Sequence, residues 1–414
     1  MHPYRALTDE RIPSLVQSGH SAKTVDDAYL NRDRRIITPD SSRRSEDMRR
    51  LRIVMFGLSV TSSWGNGHAT PYRSLIRALT MRGHDVLFLE RDLPCHVGHR
   101  DVSHPLFGRT RIYASLREVK ELYRREVREA DMVVVGSRVP EGTEIGRWVT
   151  STARGLRAFY DLDMPVTMAM LDRGDETYIS RELASRYNMY LSFTGGPLLE
   201  QVERKYGTLM ARPLYASVDP MAYHPEPADI EWDLGYMGTY VPDRQPMLSK
   251  LLIQPARLKK TGRLVVAGPQ YPDDVAWPPN IQRIEHLPQA HHRRFYNSQR
   301  FTLNLTRMDM ARAGYSPNVR LFEAAACGTP IISDSWDGLS SFFEPDSEIL
   351  VARNSRDTLR YLRDISESER IAIGNRARAK VMSAHTGTHR AVELEGYIME
   401  ALGEAELSLT VPVG

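Results

Sequence analysis

The sequence predicts an α/β protein with two doubly wound parallel sheets that face each other across a cleft. Short apolar runs alternate with helical segments from residue 51 onward, and glycine-containing loops follow several of the runs. Four prolines between residues 213 and 227 divide this alternation into two series. Each series predicts one Rossmann-like layer structure, and ligands of such sheets bind outside the carboxyl ends of the strands.

The first series begins abruptly after a polar N-terminal segment. The apolar run at 51–57 is typical of a buried parallel strand, and a glycine-containing loop at 63–68 follows it. Apolar residues at helical spacing predict a helix over 71–79, and 85–90 is the next strand. These segments together predict a βαβ unit.

The alternation continues through both series. In the first series we predict strands at 132–136, 156–160 and 189–193, with helices at 144–154 and 198–206. In the second series we predict strands at 233–237, 263–267, 282–285, 301–305, 330–333 and 348–351.

The predicted organisation has four parts. Residues 1–50 are a polar extension, 51–212 the first Rossmann-like domain and 213–388 the second. Residues 389–414 contain a last helix that we expect to pack back on the first domain. The N-terminal extension carries no periodic pattern that would require a core-facing element.

Composition excludes several classes of protein. The 55 basic and 52 acidic residues nearly cancel, and no long Lys/Arg block suggests nucleic-acid binding. Two cysteines are too few for a disulfide framework. No apolar run approaches the roughly 20 residues that cross a bilayer, and the N-terminus lacks the apolar core of a signal peptide. We therefore expect a cytoplasmic protein without a transmembrane segment.

The segment 314–330 is the most informative for chemistry. Ser316 and Pro317 predict the N-cap and first position of a helix, which Gly328 ends. Arg320 and Glu323 share one face of that helix with Ser316. A helix N-terminus and an arginine attract phosphate oxygens, and a carboxylate accepts hydrogen bonds from a ribose diol. The segment, with Asn318, therefore predicts a site for a nucleoside diphosphate.

A second segment that could contact the nucleoside diphosphate follows the first strand of the second series. Gly238 permits a close backbone approach, Thr239 follows it, and Arg244 can neutralise a diphosphate leaving group. An ordinary strand–helix turn is the alternative explanation.

Candidate catalytic groups follow strands of the first series. Asp161 and Asp163 end a predicted buried strand, and a carboxylate there can remove a proton from an acceptor hydroxyl. Asp161 is the first choice for this base, whereas Asp163 suits either the acceptor side or a helix cap before Met164 and Pro165.

The loop after the first strand supplies further candidates. His68 is a candidate base or phosphate-side donor, although an ordinary loop histidine is an open alternative. Trp64 and Asn66 can shape an acceptor pocket. Cys95, His96 and His99 lack the second ligand pair of a structural zinc site, so we expect no metal.

These residues carry a family resemblance. The segment 314–330, in which Glu323 precedes a small-residue run that ends in Cys327-Gly328-Thr329-Pro330, resembles the glycosyl transferases group 1 signature. Its core at 316–324 and the turn Asp334-Ser335-Trp336-Asp337-Gly338 more closely resemble the CgeB-like (spore maturation protein) branch of GT-B enzymes. Further matching segments are 64–67, 161–165, 194–197, 235–240 and 303–307. The resemblance covers residues 51 to about 400.

The resemblance implies a GT-B fold and a metal-independent glycosyltransferase without a cofactor. Its substrates would be a nucleoside diphosphate sugar and an acceptor, and Glu323 would hold the ribose. Tyr315 stands where retaining members often carry the first of two glutamates, which leaves the stereochemical outcome open. A sugar-nucleotide 2-epimerase of the same fold and a non-catalytic sugar-nucleotide-binding protein are the alternatives.

Overall fold

Thirteen strands of the described chain form two parallel sheets. The computed structural model describes residues 49–65, 67–102 and 107–410, with side chains as far as residue 403. Residues from Arg50 onward form one compact unit, which contains both sheets. The prediction of a two-sheet α/β fold is confirmed.

The first sheet has seven strands in the order β3-β2-β1-β4-β5-β6-β7. Neighbouring strands are parallel throughout. Its strands are β1 (Arg52–Gly57), β2 (Asp85–Arg91), β3 (Arg109–Tyr113), β4 (Met132–Gly136), β5 (Leu156–Asp161), β6 (Met189–Ser192) and β7 (Ala211–Pro213). Its helices are α1 (Ala69–Met81), α2 (Pro94–Val97), α3 (Leu116–Leu122), α4 (Arg124–Glu129), α5 (Gly142–Thr152), α6 (Met164–Asp172), α7 (Arg181–Ala184) and α8 (Pro197–Tyr206).

The second sheet has six parallel strands in the order β10-β9-β8-β11-β12-β13. They are β8 (Trp232–Met237), β9 (Leu264–Ala267), β10 (Ile281–Ile284), β11 (Gln299–Asn304), β12 (Ile331–Ser333) and β13 (Leu350–Val351). The helices are α9 (Gln245–Leu248), α10 (Gln254–Leu258), α11 (Gln289–Asn297), α12 (Met308–Ala313), α13 (Val319–Ala326), α14 (Ser355–Asp364), α15 (Glu367–Ala384) and α16 (Gly387–Thr410). A π-helical turn, Ser249–Ile253, joins α9 to α10.

The central strands explain why the apolar runs predicted the sheets well. Every residue of β4 is buried, as is every residue of β9. Helices cover both faces of a doubly wound parallel sheet, so a central strand is apolar on both sides and reads as a continuous hydrophobic run. Each sheet has its own cluster of buried apolar side chains.

Two edge strands escaped prediction for the opposite reason. Most side chains of β3, Arg-Thr-Arg-Ile-Tyr, are exposed or half-buried, so the segment has no apolar run. The strand β7 has three residues and ends in Pro213. Proline cannot donate to a ladder and is tolerated at the edge of a sheet, which is where β7 lies.

The start of the key helix also differs from prediction. The helix α13 begins at Val319, and its N-cap is Asn318 in an extended conformation. The prediction of Ser316 as N-cap and Pro317 as first helical residue is therefore wrong. The hydroxyl of Ser316 instead contacts Thr194 of the first half of the chain. Gly328 follows the helix in a left-handed conformation (φ 73°), as predicted for a helix stop.

The last helix crosses back to the first sheet. Packing of α16 on α1 is tight at Gly387, where a Cβ would lie 2.5 Å from Oγ of Ser74. Farther along, Glu395 accepts two hydrogen bonds from the guanidinium of Arg82 and lies 2.8 Å from Nε2 of His84. These contacts tie the end of the described chain to the first layer.

Candidate active site between the two sheets

The carboxyl edges of the two sheets meet directly. The Oγ1 atom of Thr194, beyond β6, lies 2.9 Å from Oγ of Ser316, and the N–H of Gly195 donates to the carbonyl oxygen of Tyr315 at 2.9 Å. Gly196 has a left-handed backbone (φ 67°), and a Cβ there would lie 2.5 Å from the Tyr315 ring. A side chain at this position would force the two halves apart.

Several non-glycine residues near these edges have left-handed backbones. They include Arg138 (φ 62°) beyond β4, Gln270 (φ 70°) beyond β9 and Tyr315 (φ 47°) before α13. Such conformations cost free energy for a residue with a Cβ and cluster where function constrains the backbone. Their common position beside the junction of the sheets marks it as the candidate site.

Arg320 lies at the carboxyl edge of the second sheet. Its Nη1 donates to Oδ1 of Asn304 and to the carbonyl oxygen of Leu305, both at 3.3 Å, at the end of β11. The guanidinium carbon lies 5.2 Å from the centre of the Tyr236 ring, which belongs to β8. The side chain is half-buried, so its positive charge is held where ligands of parallel sheets bind.

The segment after β8 lies beside Arg320. Arg244 donates from Nη2 to the carbonyl oxygen of Thr239 at 2.8 Å, while its buried Nε has no hydrogen-bond partner within the described chain. Arg244 and Thr239 line a narrow pocket together with Tyr236 and Tyr271. A Cβ at Gly238 would lie 2.6 Å from the Tyr236 hydroxyl oxygen, so packing of that tyrosine already requires the glycine.

Glu323 lies deeper, in a buried polar cluster. Its side chain is 2% exposed, and Oε2 accepts a hydrogen bond from the Tyr296 hydroxyl at 3.0 Å. The other oxygen, Oε1, is buried and finds no hydrogen-bond partner among the described residues. Buried carboxylate oxygens are nearly always hydrogen-bonded, so Oε1 has an unused capacity to accept one.

Asn318 repeats this pattern at the N-terminus of α13. Both side-chain amide atoms are buried, and neither has a partner in the part of the chain that the structure describes. Its side chain makes no capping bond to the helix. Two donors and two acceptor sites are thus available beside the free N–H groups of the first helical turn.

Asp161, predicted as the base, lies in the core of the first sheet. The side chain has no exposed surface. Oδ2 accepts from the Tyr190 hydroxyl, and Oδ1 accepts from Oγ1 of Thr167 and from the backbone N–H of Asp163, both at 3.0 Å. Burial raises the pKa of this carboxyl despite those hydrogen bonds. Its position is that of a structural group that shapes the end of β5.

Asp163 and His68 come together instead. Oδ2 of Asp163 lies 3.9 Å from Nε2 of His68 and accepts a hydrogen bond from Nε of Arg138 at 2.6 Å. Burial alone would raise the pKa of Asp163, but the neighbouring His68 and the charge of Arg138 outweigh it and hold the pKa well below its usual range. The carboxylate is therefore ionised and beside an imidazole.

The loop that leads to His68 is held by a buried carboxylate. Glu90, fully buried in β2, accepts backbone hydrogen bonds at Oε2 from Val60 (2.7 Å) and Thr61 (3.1 Å). Its Oε1 accepts from the hydroxyls of Ser59 and Thr61. The carboxylate thus makes four hydrogen bonds within one tight turn, and this fixes the start of the loop.

The same loop presents an aromatic pair. The Trp64 ring stacks on His99 with centroids 4.6 Å apart and an angle of 25° between planes. Asn66, predicted on the acceptor side, lies outside the described residues. Within the described residues, no group of three or more His, Cys, Asp or Glu side chains is placed to hold a metal ion.

Sequence reasoning missed three residues of this site. Arg138 has no motif around it, and its backbone conformation is visible only in the structure. Tyr296 comes from a different helix, α11, and no local spacing links it to Glu323. Glu90 had a signal that could have been used, because a charged residue at the end of a buried strand requires partners.

Comparisons with known proteins identify the family that part of the sequence matches and the fold. Residues 244–396 match the model of a family described as glycosyl transferase-like. Sucrose-phosphate synthase from Thermosynechococcus elongatus superposes with a TM-score of 0.61 at 14% identity, over 86% of this chain and 100% of that one. The fold is GT-B.

Two further GT-B structures were solved with a sugar nucleotide. Anabaena HepE in complex with UDP-glucose superposes with a TM-score of 0.61 at 12% identity, over 86% of this chain and all of that one. An alpha-glucosyltransferase in complex with UDP-glucose and DNA gives 0.64 at 13% identity, over 85% and 100%. Among curated proteins none matches this sequence. None of the described helices is both long enough and apolar enough to cross a membrane.

Proposed function

We propose that this GT-B protein transfers a sugar from a nucleoside diphosphate sugar to an acceptor hydroxyl. One observation carries the proposal: α13 places Arg320 at the carboxyl edge of the sheet and the buried carboxylate of Glu323 one turn later, with Oε1 lacking a partner among the described residues. The family match to residues 244–396, which includes this helix, supports the same function.

The donor side stabilises negative charge. When the bond between the sugar and the diphosphate breaks, the bonding electrons leave with the nucleoside diphosphate. We assign the neutralisation of that charge to Arg320, Arg244 and the N–H groups at the start of α13, with Asn318 and Thr239 as hydrogen-bonding groups. Glu323 would accept a hydrogen bond from the ribose at Oε1. These groups supply the stabilisation without a metal or cofactor.

The acceptor side removes a proton. We propose that the pair of His68 and Asp163 takes the proton of the acceptor hydroxyl as its oxygen bonds to the sugar. Asp161 would support Asp163 through its backbone N–H, since its own side chain is enclosed. Trp64, held in the loop that Glu90 fixes, would contact the acceptor.

Finer assignments follow from the same proposal. We place the acceptor domain at residues 51–212, the nucleotide-sugar domain at 213–388 and a returning helical segment at 389–414. The motifs around Glu323 and Trp336 favour the CgeB-like branch, and we propose transfer of a hexosyl group. On the ground of the composition we also propose a cytoplasmic location. UDP-sugars are the first donors to test, because UDP-glucose is bound in the similar structures of HepE and the alpha-glucosyltransferase.

Product analysis tests the proposed reaction. The protein is incubated with UDP-, GDP-, dTDP- and ADP-sugars, with and without a pool of acceptor glycans, and the released nucleoside diphosphate is measured. Release that depends on acceptor, with a new glycoside, supports transfer. Conversion of the sugar nucleotide to its 2-epimer without acceptor would establish an epimerase, and binding without turnover would establish a binding protein. Either result would overturn the proposal.

A further inference from the structure

One arginine of the first sheet contacts the second sheet beside the candidate site. Arg73 lies on α1, and its side chain is about one-eighth exposed (12%). Its Nε donates to the carbonyl oxygen of Val60 at 2.7 Å, and Nη2 donates to Oδ1 of Asp101 at 2.7 Å. Its Nη1 donates to Oε1 of Gln289, the first residue of α11. The guanidinium therefore bonds to both halves of the cleft at once.

On the first half, these bonds hold the loop between β1 and α1. Asp101 also accepts hydrogen bonds from the backbone N–H (3.2 Å) and hydroxyl (2.5 Å) of Ser63, which precedes Trp64. Burial would raise the pKa of Asp101, but the hydrogen bonds from Arg73 and Ser63 outweigh it and lower the pKa. The residues 58–65 of this loop (the β1–α1 loop) thus take their position from Arg73 through Val60 and Asp101.

On the second half, Gln289 adjoins the cluster around Glu323. Tyr223 is buried, and its hydroxyl lies 3.1 Å from Nδ1 of His292, on α11. Tyr296, near the other end of α11, donates to Oε2 of Glu323 at 3.0 Å. The helix α11 therefore joins the proposed ribose-binding carboxylate to Gln289, the glutamine that accepts from Arg73.

We propose that Arg73 is a positioning residue that couples nucleotide binding at Glu323 to the order of the β1–α1 loop. The inference rests on the proposed function, because it takes Glu323 as the nucleotide-binding carboxylate. The chain of contacts is continuous: Glu323 accepts from Tyr296 of α11, and Gln289, the first residue of the same helix, accepts from Arg73.

The physical basis is the matching of buried donors and acceptors. A ribose hydroxyl that donates to Oε1 of Glu323 changes the carboxylate that accepts from Tyr296, so Tyr296 must adjust. Because unmatched polar groups in a buried network are costly, the adjustment extends along α11 to its first residue, Gln289. Its Oε1 accepts from Arg73, so the adjustment reaches the loop that carries Trp64. Donor binding would in this way prepare the acceptor side before the acceptor arrives.

Hydrogen exchange of the full-length protein tests this coupling without a known acceptor. Backbone exchange of residues 58–65 is measured with and without saturating UDP, in the wild type, in Arg73→Met and in Gln289→Ala. We expect UDP to slow exchange of the loop about fivefold or more in the wild type. In both variants the UDP effect on the loop should disappear, while UDP affinity stays within about threefold of the wild type.

A matched control lies one turn along the same helix. Arg77 is also half-buried and pairs with Asp219 at 2.9 Å, and within the described chain no hydrogen bond or ion pair joins it to Gln289. Arg77→Met should keep the full UDP effect on the loop, which separates the coupling from a general weakening of α1. A merely structural role of Arg73 would change exchange of the loop equally with and without UDP.

The outcomes separate this inference from the proposed function. If UDP binds the wild type and exchange of the loop does not change, or if both variants keep the effect, the coupling is refuted and the proposed function stands. If the wild type binds none of UDP, GDP, dTDP or ADP, both are refuted. Gln289→Ala leaves the loop contacts of Arg73 in place, so the test remains decisive if Arg73→Met folds poorly.

Discussion

One oxygen of Asp163, Oδ2, lies close to both Arg138 and His68. It accepts a hydrogen bond from Nε of Arg138 at 2.6 Å and lies 3.9 Å from Nε2 of His68. The three residues follow three neighbouring strands of the first sheet, β1, β4 and β5. This convergence at the carboxyl edge is what a parallel sheet provides, and it is the reason we propose Asp163 and His68, ahead of Asp161, for the proton-accepting role.

The two aspartates should therefore respond differently to substitution. Asp163→Asn removes the charge beside His68, and we expect the rate of sugar transfer to fall about 100-fold or more, the usual range for loss of a general base. Asp161→Asn keeps the shape of an enclosed side chain and should leave the rate within a few-fold. Steady-state assays of nucleoside diphosphate release distinguish the two. Equal losses, or a larger loss for Asp161→Asn, would return the catalytic role to Asp161.

Asp163 and Asp161 should affect the pH dependence of stability in opposite directions. The folded-state pKa of Asp163 lies below its unfolded value of about 3.9, so its contribution to stability is present above that pH and is lost as the pH falls. The folded-state pKa of Asp161 is raised, so its contribution is present at low pH and is lost as the pH rises.

Unfolding by urea at several pH values between about 6 and 2.5 measures both effects. Relative to the wild type, Asp163→Asn should lose less stability on acidification, and Asp161→Asn should lose more. If both variants follow the wild-type curve, neither carboxyl is perturbed as the structure indicates.

We expect the side chain of Glu90 to stabilise the β1–α1 loop, and glutamine at this position to retain more of that stability than alanine. Glu90→Ala leaves the buried N–H groups of Val60 and Thr61 without acceptors, and we expect the free energy of unfolding to fall by about 2–4 kcal/mol. In Glu90→Gln the amide oxygen can accept both N–H groups while its NH₂ donates to the two hydroxyls, so the loss should be smaller. Denaturant midpoints measure both, with Glu121→Ala on the exposed face of α3 as control. Similar midpoints for Glu90→Ala and the wild type would show that the network contributes little.

The contact between Gly196 and Tyr315 can be tested against a second glycine that flanks the same helix, Gly207. Both have φ of 67°, but ψ is −155° at Gly196 and 25° at Gly207, and a Cβ at Gly207 meets only Cβ of Ser185, at 3.7 Å. Alanine at Gly207 incurs the cost of a left-handed conformation, about 1–2 kcal/mol. Gly196 has a backbone that essentially only glycine adopts, and a Cβ there pushes into the Tyr315 ring, so Gly196→Ala should be less stable than Gly207→Ala by about 1–3 kcal/mol. Equal thermal shifts would contradict a tight contact between the halves at this point.

The sequence predicted the layers of the fold because they depend on local pattern. Central strands such as β4 and β9 are apolar throughout, and their positions matched the predicted runs closely. The edge strand β3 was missed because edge residues are exposed and need no hydrophobic pattern. The helix α13 was found, but its start was placed too early, because the hydroxyl of Ser316 is used across the cleft by Thr194 rather than as a cap.

The candidate site was only partly predictable for the same physical reason. Arg320 and Glu323 share one helix, so their spacing revealed them, and Asp163 was recognised from its place after a strand. Their partners lie far away in sequence: Arg138, Tyr296 and Arg73 contact them or their loops only through the tertiary fold. The spacing of residues within a single segment does not predict such contacts. Asp161 and Asp163 have equivalent positions in the sequence pattern, and only the difference in their burial distinguishes them as candidate bases.

The central claim is that Glu323 binds the nucleotide through an oxygen without a partner among the described residues. Isothermal titration calorimetry of UDP and UDP-glucose into the wild type, Glu323→Gln and Tyr296→Phe tests it directly. Tyr296→Phe removes the bond to Oε2 and leaves Oε1 free, so it should keep most of the affinity. Glu323→Gln should lose about 10- to 100-fold, equivalent to one charged hydrogen bond. Unchanged affinity in Glu323→Gln, with the wild type binding, would contradict the assignment of this site.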